Sequence, residues 1–448
     1  MQKLQLKKEY QKYSEYKNPG VDWLGEIPKE WEVNKGKNLM AKIASGVWGE
    51  DAKGDENDFP CLRVADFKYD KLSFRKIETI RNIPKNQQHK ILKNNSVLIE
   101  KSGGGEKQLV GRAILFNSDQ EMVCANFIDS IEVNDETDPK YFTYLLANAY
   151  DVRLNLKSIK QNTGIQNLDT KNYFSEMFPK PPKQDQQKIA KFLDEKVGLI
   201  DEIVKKKKRL IELLKEKRTA VINQAVTKGL DPNVEMKDSG VEWIGEIPKG
   251  WKMRKISRSF GIIGSGTTPS SMDESLYDEG DINWVITGNL NNGILNETSK
   301  KITKKAFSES STLKIYPVGT LLIAMYGATI GKLAILGIPA CTNQACCALA
   351  DSKYFINKFI YYWFLSNKKS IIDNFSYGGG QPNISQNVIK ELKIQSPDPK
   401  EQCEIIKCLD GEINRMSLIM KKVEKSINLL TEFKSSLISN VVTGKVKI

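Results

Sequence analysis

The sequence predicts an α+β protein of two similar mixed α/β domains joined by two long antiparallel helices in a coiled coil, with pseudo-two-fold symmetry. Three observations carry this. Gly20-Val21-Asp22-Trp23-Leu24-Gly25-Glu26-Ile27-Pro28-Lys29-Glu30-Trp31 recurs as Gly240-Val241-Glu242-Trp243-Ile244-Gly245-Glu246-Ile247-Pro248-Lys249-Gly250-Trp251, offset by 220 residues. Gln186-Gln187-Lys188-Ile189-Ala190-Lys191-Phe192-Leu193-Asp194 recurs as Gln402-Cys403-Glu404-Ile405-Ile406-Lys407-Cys408-Leu409-Asp410, offset by 216. Each half closes on a long stripe of apolar residues spaced by threes and fours. A period of half the chain excludes a solenoid, whose units run to about 20–50 residues; two copies of one module are fused.

In chain order, residues 1–17 form a tail in which Lys3, Lys7, Glu9, Lys12 and Glu15 break any apolar run of signal-peptide length, so no export is expected. Residues 18–180 form the first domain, with strand signals at residues 59–64, 97–99 and 112–116 among Gly, Asn and Asp. Residues 181–229 form the first long helix, striped by Ile189, Leu193, Val197, Ile200, Val204, Ile211, Leu214, Val221 and Ala225. Residues 230–396 repeat the domain, with strands expected at 283–286, 320–323 and 332–336. Residues 397–448 form the second helix, striped by Ile405, Leu409, Ile413, Met416, Met420, Val423, Ile427, Leu430, Leu437 and Val441. It opens on Asp398-Pro399-Lys400-Glu401, a cap, a first-turn proline and a capping-box acid. Residues 186–222 alone make a rod of roughly 55 Å. Such an amphipathic rod cannot bury its stripe unaided, so the two helices are expected to pack on each other through Ile189, Leu193, Ile200, Leu214, Ile405, Leu409, Met416 and Leu430.

A chain of 448 residues is long enough for two cores. Its 68 Lys plus Arg against 55 Asp plus Glu give +13, which favours a polyanionic partner. Seven cysteines without a Cys-x-x-Cys pair, beside the single His89, leave no zinc motif and read as reduced, buried thiols of a cytoplasmic protein. The uncharged stretches 318–331 and 333–350 are broken by glycines and Pro339, and read as buried strands rather than membrane spans.

Catalytic patterns are missing. Gly327-Ala328-Thr329-Ile330-Gly331-Lys332 is one residue short of a phosphate loop and lacks the following Ser or Thr; it reads as a strand-turn-strand. Ser102-Gly103-Gly104-Gly105 is a glycine turn without a strand-to-helix context. One histidine cannot serve a metal site or nucleophile in both halves. The aspartate of Pro397-Asp398 is a helix cap, the first half having Pro181-Pro182 there. No Asn or Asp precedes Pro-Pro-aromatic, as an amino-methyltransferase requires. No metal site and no cofactor of its own is expected.

The duplicated Trp-(Leu or Ile)-Gly-Glu-Ile-Pro-Lys-x-Trp, Ser265-Gly266-Thr267-Thr268-Pro269-Ser270, Gly327-Ala328-Thr329-Ile330-Gly331, Asn343-Gln344-Ala345, Gln381-Pro382-Asn383-Ile384 and the Gln-x-x-Ile-x-x-x-Leu-Asp helix starts resemble the specificity (S) subunit of type I restriction-modification enzymes. The similarity runs from Asn18 to Lys445. It implies two target-recognition domains, each taking half of a bipartite, asymmetric double-stranded DNA site, and a coiled-coil spacer that sets the gap and docks two modification subunits. It also implies that S-adenosylmethionine belongs to the modification (methyltransferase) subunits. ATP- and Mg-dependent translocation and cleavage belong to restriction subunits held through them.

Readers of duplex DNA need cations for phosphates and amides or guanidinium groups for base edges. The pre-exit segments supply Gln161, Asn162, Gln166 and Asn167 in the first domain, and Tyr377, Gln381 and Asn383 in the second. The glycine turns add Lys101, Ser102, Lys107 and Arg112, against Tyr326 and Lys332; Thr267 and Thr268 complete the set. Asn167 and Asn383 read equally as plain turn residues. Residues 205–218 hold eight basic and two acidic side chains, which fits a solvated helix face, a DNA contact or an acidic partner. Two other functions stay open: a coiled-coil scaffold binding protein or RNA without DNA specificity, and a stand-alone nuclease or methyltransferase.

Overall fold

The computed structural model describes residues 11–105, 108–162, 164–376 and 383–448, with only the backbone of Asn162. The chain forms two compact units, one holding the chain up to Lys208 together with Glu424–Ile448, the other Arg209–Val423.

In the first unit an antiparallel sheet runs in the order Ala113–Leu115, Val97–Glu100, Ile128–Val133, Met40–Ser45. Val97–Glu100 is buried along its whole length, which explains its unbroken Val-Leu-Ile run. Helix Pro139–Asp151 starts on the Asp138 carboxylate, which accepts the Tyr141 N–H at 2.9 Å, and packs Tyr141, Phe142, Leu145 and Leu146 into the main core. A second sheet, Val123–Cys124, Asp58–Leu62, Ile80–Asn82 and Glu50–Asp51, has one parallel pair, Val123–Cys124 on Asp58–Leu62.

The second unit repeats the plan. Its sheet runs Phe260–Gly264, Cys346–Ser352, Leu321–Ala324, Leu333–Leu336, with Gly293–Leu295 added in parallel as a fifth strand. Helix Asn357–Phe375 takes the place of Pro139–Asp151, and Cys341–Thr342 runs parallel to Ile282–Val285. Each strand expected from the sequence is present, with ends shifted by a residue or two. The uncharged stretches fold as buried strands, and no described helix is long and apolar enough to cross a membrane.

The long helices run Lys183–Lys228 and Pro399–Val442. Their repeated start motif is an anchor. Gln186 is buried; its side-chain oxygen accepts the Asp138 N–H at 2.8 Å and its amide donates to Pro181 O (2.8 Å) and Glu136 O (3.1 Å). Gln402 does the same with the Ile356 N–H (2.9 Å), Tyr354 O (2.7 Å) and Pro397 O (3.0 Å). The motif aspartates take matching partners: Lys140 and Tyr144 on Asp194, Lys358 and Tyr362 on Asp410.

The helices lie antiparallel. In the first unit Tyr141, which donates to Pro179 O just before the central helix, also donates to Val442 O at the end of the C-terminal one; farther along, Lys434 pairs with Asp201 at 2.7 Å. In the second unit Glu401, near the start of the C-terminal helix, is the neighbour of Gly229, just past the end of the central one. Ile189, Leu193, Val197 and Ile200 bury against Leu437, Ile438 and Val441, with Leu430 at the edge; Ile405, Leu409 and Ile413 share a core with Ile222, Ala225 and Val226. Met416 is buried and Leu214 half-buried. These clusters also contain domain residues, so the stripe is covered by the domains as well as by the partner helix.

Two details, the partner of Glu401 and the exposure of Cys403 and Cys408, depart from expectation. Glu401 does not close a capping box: Asp398 caps Glu401 N at 3.0 Å, but the Glu401 carboxylate accepts the Trp251 indole N–H at 2.9 Å. The repeated tryptophans, Trp31 and Trp251, seal the helix ends, packing near Gly444 (φ +75) and Gly229 (φ +79), where the left-handed turn suits glycine. Cys61, Cys124, Cys341, Cys346 and Cys347 are buried, but Cys403 and Cys408 lie on the exposed face of the C-terminal helix. In the basic run, Lys206 pairs with Glu202, Arg209 with Glu216 and Lys215 with Glu212, the pairing of a solvated helix surface.

Candidate nucleic-acid interface

Two candidate segments that lie far apart in sequence come together in each domain. Ser102 pairs with Asn167, and Gly103 with Gln166, in a sheet completed by the hairpin Ile159–Asn162 and Ile165–Leu168. In the second domain Tyr326 bridges to Asn383. The glycine turn and the pre-exit segment thus form one rim in both domains. Lys107, Tyr377, Gln381 and the Asn162 side chain lie outside the described residues.

A glycine follows the first sheet strand in each domain, where another strand's backbone comes close. Gly46 and Gly266 are equivalent at offset 220, and a Cβ would stand 2.2 Å from Cys124 O at the first and 1.8 Å from Thr342 O at the second. No side chain fits there.

The rims differ in chemistry. In the first domain the candidate phosphate ligand Lys101 is already paired: its ammonium lies 3.3 Å from the buried Asp129 carboxylate and donates to Ser45 Oγ at 2.5 Å, while Ser45 donates to Asp129 at 2.6 Å. Strand register places Met325 and Cys347 where Lys101 and Asp129 stand, so the second domain has no such cluster. Gln166, expected to reach bases, is instead 4% exposed, and its side-chain oxygen accepts the Val110 N–H. Ser102 is buried and donates to Asn167 Oδ1. Gln161 is exposed on the hairpin.

Arg112 leaves the rim. Its guanidinium lies over the rings of Tyr69 (4.4 Å) and Tyr150 (4.8 Å) in a cleft of about 360 Å³ that Lys434, Ser435 and Ile438 of the C-terminal helix help line. Beside it Glu100 is 1% exposed; burial outweighs the attraction of Arg112 and pushes its pKa up to about 7. Lys332 holds the same register, since the Ala324 N–H donates to Lys332 O as the Glu100 N–H donates to Arg112 O. Its neighbour is cationic too: burial and the charge on Lys332 lower the pKa of Lys368.

On the second rim Tyr326 donates to Gln344 O at 2.8 Å, and the exposed Thr268 donates to the Gln344 side-chain oxygen at 2.7 Å. Thr267 turns its carbonyl to the Trp284 indole at 3.2 Å, a structural role. Asn383 is exposed. Gln344 stood in the Asn343-Gln344-Ala345 motif without being read as a site residue, and Ser45 and Asp129 were not singled out at all. The Ser-Gly pair shared by Ser45-Gly46 and Ser265-Gly266 could have flagged Ser45, but nothing in the repeat signals Asp129.

Among the described residues no group of His, Cys, Asp and Glu could hold a metal ion. What remains is a pair of rims with amide, hydroxyl and cationic side chains on one duplicated scaffold. The type I restriction modification DNA specificity domain matches twice, over residues 28–213 and 248–429. The chain belongs to this family. The specificity family recognises DNA sequence for restriction-modification systems through two target-recognition domains, and its subunits are non-catalytic.

Among relatives, the MjaVIII specificity subunit of Methanocaldococcus jannaschii is 26% identical over 305 residues, covering 65% of this chain and 67% of that protein. In fold, the chain matches one from a study of complex assembly and conformational transition of the type I R-M system, with a TM-score of 0.72, 13% identity and coverage of 93% and 98%. It also matches the HsdS subunit of Thermoanaerobacter tengcongensis, with a TM-score of 0.57, 12% identity and the same coverage.

Proposed function

We propose that this specificity subunit binds double-stranded DNA at a bipartite, asymmetric site, each domain reading one half. The observation that carries this reading is the pair of rims: one backbone plan, with Ser102 on Asn167 and Tyr326 on Asn383, bearing unlike side chains around it. Unlike rims call for unlike half-sites. The two long helices set the gap and dock two modification subunits, through which restriction subunits join. S-adenosylmethionine, ATP and Mg are used by those partners, and the complex works in the cytoplasm.

Exchange of residues 37–178 for the segment of a relative, followed by mapping of methylated adenines, tests the division of labour. One half of the methylated motif changes and the other stays; a change in both would refute it. The cationic corner of the second domain makes a separate contribution. Lys332→Ala weakens binding to all sequences alike and reduces the salt slope by about one. Insertion of four residues near Lys217 adds about 6 Å of helix against roughly 3.4 Å per base pair. The methylated motif then gains one, at most two, base pairs of gap, and an active variant with the original spacing would refute the spacer role.

A further inference from the structure

Phe127 is the feature of the first rim that packing does not explain. It is 50% exposed, belongs to no core cluster and meets no other ring among the described residues. Its backbone is part of the rim, since its carbonyl accepts the N–H of Lys101 at 2.8 Å and of Ser102 at 3.2 Å. In the second domain Ala345 occupies the same backbone position, its carbonyl accepting the Met325 N–H at 2.9 Å. The scaffold therefore has no need of a phenyl ring here.

We infer that Phe127 is a specificity-determining residue that packs on the C5-methyl group of a thymine in the half-site read by the first domain. The inference rests on the proposed DNA-reading role of that rim. Its polar members can address the donors and acceptors of any base edge. A phenyl ring has a narrower choice, because the thymine methyl is the only apolar group that a base pair presents in the major groove. The ammonium of Lys101 is paired with Asp129, and among the described residues no cation lies over the Phe127 ring. The neighbouring amides of Gln161 and Asn167 supply the polar part of the reading.

The test uses the complete complex with its modification subunits and duplexes carrying the methylated motif mapped in the host genome, each thymine of the first half-site replaced in turn by deoxyuridine. One replacement weakens binding about fourfold, the value of one methyl group taken out of water, while replacements in the other half-site have no effect. Phe127→Ala weakens binding to the thymine duplex by at least as much and no longer distinguishes it from the deoxyuridine duplex; Phe127→Leu keeps part of the discrimination. A first half-site without thymine, no deoxyuridine penalty, or a Phe127→Ala variant that keeps the penalty overturns the inference. Failure of the complex to bind the mapped duplex at all would instead refute the reading role of the domain.

Discussion

The two domains share their supports and differ in what they display. Gln186 and Gln402, Asp194 and Asp410, Leu193 and Leu409, Gly46 and Gly266 occupy matching places with matching partners. Around the rims the match fails: Lys101, Asp129 and Glu100 in the first domain face Met325, Cys347 and Ala324 in the second. Positions that hold helix to domain are fixed by packing and buried hydrogen bonds in both copies. The rim positions diverge even where they are buried: the first domain places Asp129 and Glu100 where the second has Cys347 and Ala324, and among the described residues Lys332 and Lys368 of the second make no ion pair.

The equivalence of the supports is most severely tested in the core. Leu193→Ala and Leu409→Ala, both fully buried, each cost about 2–5 kcal/mol. Denaturant titration with hydrogen exchange on each unit reads the two losses, and a cost confined to one unit would break the comparison.

Glu100 sharpens the difference. With its pKa raised from 4.5 to about 7, the native carboxyl keeps a proton that the unfolded chain has released. Stability of the first unit therefore falls as pH rises across that window, by up to ~3 kcal/mol. Glu100→Gln flattens the profile, and the second unit, with Ala324, lacks this component from the start.

The anchors come next. Gln186→Ala and Gln402→Ala each leave buried backbone groups unpaired, at about 1–3 kcal/mol; unequal losses would show that one helix start has a substitute partner. Smallest are the half-exposed pairs: Lys140→Ala and Lys358→Ala lose about 0.2–1 kcal/mol each in thermal melts, with high salt shrinking both.

The sequence made the duplication, the two long helices and six strand segments legible because these rest on periodicity and on local signals such as Asp398-Pro399, whereas the helices Pro139–Asp151 and Asn357–Phe375 went unread. The rim was legible only as two separate segments. Pairing of Ser102 with Asn167 is a long-range register, which no local pattern encodes. Chemistry was harder still: nothing near Lys101 in sequence announces Asp129, and Gln166 looked like a loop amide because its burial is decided by the strand opposite. Gln186 and Gln402 stood in the repeat from the outset, yet their role depends on carbonyls supplied by another part of the domain.

The first unit is built from both ends of the described chain, with Lys447 N–H donating to Gln11 O at 2.8 Å and Lys434 reaching Asp201. The second is one uninterrupted stretch, Arg209–Val423. During synthesis the second unit can therefore close first, although it is made later. The first must wait for Glu424–Ile448, which leaves the ribosome roughly 10–50 s after Lys208 at ordinary elongation rates. Throughout that interval Ile189, Leu193, Val197 and Ile200 lack the helix that covers them. Residues 424–448 act as a latch, and translation that stops at Val423 yields one closed unit and one whose apolar helix face is uncovered.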